Sequence, residues 1–158
     1  MKKVIFSLLL NLVCATFMFA QESKASFKDA KLDLAYKQYI QLKDALVASK
    51  ADEAKKFGTQ LQQSLLALNN GNKSAAEAGK IAGSEKLADQ RKAFSLLSNE
   101  MKSLVKTNKP SSGTLYLEYC PMANNNEGAY WLSNEKEIKN PYFGDKMLKC
   151  GSVKETIH

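Results

Sequence analysis

Histidine and arginine are almost absent from this sequence, which holds one of each, His158 and Arg91, in 158 residues. With a single terminal histidine, no serine or cysteine nucleophile has a base for triad chemistry, and a closed zinc site lacks its usual four Cys or His ligands. No loop gathers the carboxylates that calcium needs. Phosphate-loop and dinucleotide fingerprints are missing. Cysteines occur at positions 14, 120 and 150 and never as Cys-x-x-Cys, so the thiol-disulfide oxidoreductase pattern is missing too. Glu135 and Glu137, two apart, read as solvated charge. These absences predict a protein that is not an enzyme.

The formal net charge is +7, carried almost wholly by lysine. Between Gln21 and Pro110 there are 16 basic and 10 acidic residues, whereas Ser111 to His158 is nearly balanced. Nucleic-acid readers use arginine forks and interleaved aromatics. Neither is present, so the lysines read as a solvated helix surface and no nucleic-acid partner is expected.

Long apolar runs are also scarce, with one exception. Lys2 and Lys3 precede a mostly apolar stretch from Val4 to Ala20, followed by polar Gln21-Glu22-Ser23. That order is the pattern of a signal peptide cleaved near Ala20. It predicts export to the periplasm, with no stable membrane insertion afterwards. An uncleaved anchor and lipid attachment at Cys14 are the lesser alternatives. Removing residues 1–20 leaves about 140 residues, enough for one ordinary domain.

From about Ala30 to Asn108 the spacing is helical. Leu32, Tyr36, Tyr39, Ile40, Leu46 and Val47 follow a three-and-four rhythm, as do Phe57, Leu61, Leu65 and Leu68. Leu87, Phe94, Leu97, Met101 and Leu104 make a third stripe. Ser49 and Ser84 are expected to cap the second and third of these helices. The alanine-rich Gly71–Gly83 stretch reads as a loop with a short helical turn. The fold class expected is therefore mainly α. Residues 21–110 form an antiparallel bundle of three to four helices, and 111–158 form an irregular lobe with short strands packed on it.

That lobe carries the chemistry. Thr114–Tyr119 is rich in strand formers and delivers Cys120-Pro121-Met122; Ala129–Ser133 reads as a second strand anchored by Trp131. Asn140-Pro141-Tyr142 and Phe143-Gly144-Asp145 are turns leading to Met147 and Cys150-Gly151. Thiolate and thioether sulfurs are soft ligands that favour Cu(I). Cys120, Met122, Met147 and Cys150 are thus the candidate metal ligands. A second reading stays open, because in an oxidising compartment Cys120 and Cys150 can form a disulfide. Closing that loop would contribute about 3.5 kcal/mol, and both methionines would then fill gaps in the core.

Tyr119-Cys120-Pro121-Met122, Trp131-Leu132-Ser133 and Asn140-Pro141-Tyr142 with Gly144, Met147, Cys150 and Gly151 resemble a periplasmic family of unknown function. The likeness covers most of the chain beyond Thr114, while the helical part agrees only in character. Members of that family also occur fused to adaptor subunits of heavy-metal efflux pumps. The resemblance implies copper or a related soft metal, and an efflux adaptor or another envelope protein as partner. Cys-Pro-Met is also similar to short heavy-metal-binding modules that continue with His-Pro; here Ala123 and Asn124 follow. The function expected is soft-metal binding or handover, and the alternative is a disulfide-stapled envelope interaction module.

Overall fold

The computed structural model describes residues 24–158. The expected signal peptide, its cleavage point and Cys14 lie outside the described residues. Four helices come first: α1 (Ala30–Val47), α2 (Ala51–Leu66), α3 (Asn72–Ala82) and α4 (Leu87–Thr107). Three strands follow, β1 (Leu115–Cys120), β2 (Ala129–Ser133) and β3 (Ser152–Ile157). The architecture is the expected one, a helical bundle with a small strand-bearing lobe. No described helix is long and apolar enough to cross a membrane.

Local signals explain where α1 starts and stops. The Asp29 carboxylate accepts from the backbone N–H of Lys31 at 2.8 Å and Leu32 at 3.4 Å, satisfying donors the first turn leaves free. Asp33 accepts from the N–H of Phe27 at 3.0 Å and pins the incoming chain. At the other end Ser49 adopts a left-handed φ of 57°. Its N–H donates to Leu46 O and that of Lys50 to Ala45 O, the paired bonds that close a helix C-terminus. Ser49 therefore ends α1 instead of capping α2, and Lys50 occupies the cap position of α2 without a side-chain bond. Ser84 likewise closes a turn, accepting from Lys86 N–H, and α4 begins at Leu87.

The Gly71–Gly83 stretch departs from the expected loop by forming the eleven-residue α3. Its small side chains let two helices approach closely. A Cβ at Gly58 of α2 would lie 3.1 Å from Ala82 N and 3.2 Å from Ala78 O, so glycine is what permits the contact. Four alanines in α3 also suit helix formation.

The sheet is antiparallel in the order β2-β1-β3. Trp131 lies opposite Glu118, and Ala129 opposite Cys120. β3, which the sequence reading did not anticipate, pairs with β1 from Leu115–Ile157 to Tyr119–Ser152 across a bulge at Leu117/Glu118. Tyr39 of α1 covers the outer edge of β2: its hydroxyl bonds Ser98 Oγ at 2.8 Å and accepts the Leu132 N–H at 3.1 Å. Aromatic rings continue that seam, Tyr39 stacking on Phe94, Phe94 touching Tyr142, and Tyr142 meeting Trp131 edge-on. One buried cluster thus runs from bundle to lobe. The first described residues join the lobe as well, with Lys24 bridging Thr114 and Ser26 bridging Ser112.

Candidate functional site

β1 carries Cys120 to its end and leaves the side chain fully buried. The chain then turns through Pro121 and Met122 into Asn124, Asn125 and Asn126, whose φ values of 51°, 57° and 68° are all left-handed. Asparagine is the residue type that tolerates this region best after glycine. The turn closes with Gly128 N–H on Ala123 O at 3.0 Å.

Cys150 is held by the Asn-Pro-Tyr turn. The buried Asn140 side chain donates from Nδ2 to Cys150 O at 2.7 Å, while its Oδ1 accepts from Tyr142 N–H at 2.8 Å. Its own N–H reaches Leu148 O. Tyr142 donates its hydroxyl to Tyr130 O on β2. At Gly151, φ is 144° and a Cβ would stand 2.8 Å from the Trp131 ring, so the residue after Cys150 has to be glycine for Trp131 to sit beneath it. Asn140, Tyr142, Gly151 and Trp131 therefore act together to place Cys150.

Both thiols are free and are neighbours: the Cys150 sulfur interacts with Cys120 and with the Met122 backbone N–H, although no hydrogen bond of good geometry closes between them. The Cys120 contact, seconded by burial, pushes the Cys150 thiol up to about 11. A thiol so shifted is protonated at neutral pH and is a poor nucleophile. Cys150 is half-buried and Met122 is 46% exposed. Met122 and Met147 line a common groove of about 770 Å³, to which the start of α4 also contributes, with Arg91 and Lys92. All four expected sulfur residues thus fall in one neighbourhood, two in thiol contact and two on the groove beside them. Among the described residues no three His, Cys, Asp or Glu side chains cluster as a metal cage. His158 stands apart, its Nδ1 3.2 Å from Thr114 Oγ1 at the end of β3. Glu135 is exposed and paired with Lys139.

Two features, one at the seam between bundle and lobe and one inside the lobe, are not legible in the sequence. The first is Arg91, whose guanidinium donates to Pro141 O at 2.9 Å, Leu46 O at 3.0 Å and Ser49 Oγ at 3.0 Å. The second is Glu118, fully buried, with neither carboxylate oxygen hydrogen-bonded. Desolvation pushes its carboxyl up to about 8, and the buried Lys43 ammonium holds it down in part. The Trp131 indole N–H also lies beside the carboxyl, although no hydrogen bond of good geometry closes between them. A single carboxylate inside the otherwise apolar Leu115–Tyr119 run was the available signal.

A family profile described as "Protein of unknown function (DUF3347)" matches residues 35–113, half of the chain. The match falls on the helices and the link after them, and not on the motifs beyond Thr114. No curated protein and no solved structure matches.

Proposed function

The chain belongs to that family of unknown function, and from this premise we propose that it is an exported protein that binds Cu(I) and hands it on. The observation that carries this reading is the meeting of Cys120 and Cys150 beside a groove that Met122 and Met147 share. Two thiolates and one or two thioethers form a donor set that a soft monovalent ion prefers over Zn²⁺, Ca²⁺ or Mg²⁺. Copper is the cargo here. Cys120 and Cys150 lose their protons and supply the charge, the Met122 backbone N–H steadies the Cys150 sulfur, and the thioethers give exchangeable contacts on the open side. The raised Cys150 thiol stays protonated and quiet until a metal competes for it.

The test is a Cu(I) competition titration against a chromogenic chelator, with intact mass under thiol-blocking conditions beside it. Retention of copper by a doubly labelled protein, weakened in a Met122→Ala, Met147→Ala variant that folds normally, is the expected result. Equal affinity in wild type and double variant would sink the ligand assignment. The thiol contact equally favours a second reading, a disulfide that staples the lobe for docking on an envelope partner. A mass two hydrogens light, with no label taken and copper left on the chelator, selects it.

A further inference from the structure

The groove is far larger than one ion fills, and its walls have a composition of their own. Arg91 and Lys92 stand on one side against a single carboxylate, Asp89. All three hydrogen bonds of Arg91 go to neutral oxygens, so its charge is not cancelled by a partner. Lys92 is exposed and forms no ion pair among the described residues. The left-handed asparagine turn lines the groove as well, with Asn125 and Asn126 exposed; the Asn124 amide is engaged with Glu127 at 2.7 Å. Each free amide offers both a donor and an acceptor, the pattern an extended backbone presents. The thioethers of Met122 and Met147 line the same groove.

Cations, free amides and thioethers along one groove match three parts of a single occupant. We infer that the groove docks an acidic peptide segment bearing methionine, contributed by the protein that gives or receives the metal. Its carboxylates face Arg91 and Lys92, its backbone meets the asparagine turn, and its thioether comes within reach of Met122 and Met147. Ligand exchange then proceeds between thioethers without exposing the buried Cys120. The inference rests on the copper reading for its purpose, and on charge complementarity at the groove for its occupant.

The experiment uses the chain with [¹³C]methyl-labelled methionine and follows the methyl signals by NMR. Met101, fully buried in α4, is the internal control. The first probe is a metal-free synthetic peptide of alternating glutamate and methionine, and the second replaces its glutamates with lysines. Saturable shifts at Met122 and Met147 with the acidic peptide, none at Met101 and none with the basic peptide are expected. The exposed-charge variant Lys92→Glu should weaken binding about fivefold without moving the Met101 signal. No shift with the acidic peptide, or equal shifts with both peptides, overturns the docking surface. A Cu(I) titration on the same signals separates the two ideas. A response to Cu(I) without one to the peptide removes the docking surface and leaves the copper reading. The converse removes the copper reading and leaves the surface standing.

Discussion

Arg91 donates to the carbonyl of Pro141 at 2.9 Å, joining residues 50 positions apart, and the same guanidinium reaches Leu46 O and Ser49 Oγ. The only arginine in the chain thereby closes the corner between α1 and α2 and fastens the Asn140–Gly144 turn to it. A cation at the C-terminal carbonyls of α1 is also favoured by the helix dipole. The lysines around it could not do the same work, because an ammonium lacks the flat fork that addresses three oxygens at once.

Arg91→Lys should therefore destabilise the protein by about 2 kcal/mol, the sum of forfeited hydrogen bonds less what the ammonium recovers. Urea unfolding with an unchanged slope and a lowered midpoint is the expected readout. A loss below about 0.5 kcal/mol, the level of an ordinary surface substitution, would show that the corner does not depend on the fork.

Glu118 predicts a pH dependence with a definite sign. Its folded-state value of about 8 lies above the ordinary 4.5, so the native chain binds this proton more tightly than the unfolded one does. Stability from this group is fully present below about 4.5 and is lost as pH rises toward 8, at up to about 1.4 kcal/mol per pH unit. Asp33 and Glu135, lowered by their lysine partners, run the other way at more acid pH. The charged groups acting on Glu118 are Lys43, Lys139 and Glu135. The difference between wild type and Glu118→Gln isolates the carboxyl. Urea midpoints that agree near pH 5 and favour the glutamine variant near pH 9 are expected; parallel profiles across the range would refute the assignment.

Copper affinity should rise with pH. Cys150 is protonated well above neutrality, so capture of Cu(I) by the thiol pair must displace protons into solution. Each displaced proton makes the apparent constant rise about tenfold per pH unit. Competition titrations between about pH 6 and pH 8 should show that slope, and Cys150→Ser should reduce it by one proton. A flat profile in the wild type would mean that the thiols are not the ligands.

The helical stripes of α1, α2 and α4 could be read directly because Leu, Phe and Tyr at three-and-four spacing have one burial solution. α3 could not, since its buried stripe of Ala75, Ala78 and Ile81 is mostly too small to stand out from the polar residues between, and its position depends on the missing side chain of Gly58, a long-range fact. Ser49 reads in sequence as a cap for the helix after it, yet its left-handed φ makes it the terminator of the helix before it. β3 alternates Val153, Glu155 and Ile157 with Ser152, Lys154 and Thr156, a weak pattern typical of an edge that needs a neighbour. At the site, Trp131 was legible as an anchor and the four sulfur residues as a group. The reach of Arg91 was not, because its three acceptors come from separate turns and no local pattern encodes them.

The two ends of the described chain meet. Lys24 bridges Thr114, Thr114 Oγ1 is bonded to His158, and Ile157 pairs with the neighbouring Leu115. Cys120 stands at the other end of β1, about 17 Å away at the usual rise of a strand. The body between residues 24 and 158 thus has both leads at one end of β1 and the exposed Met122 just beyond the other. Spliced into a longer polypeptide, or tethered by either lead, it would interrupt its host over scarcely more than a strand spacing and still present Met122 outward.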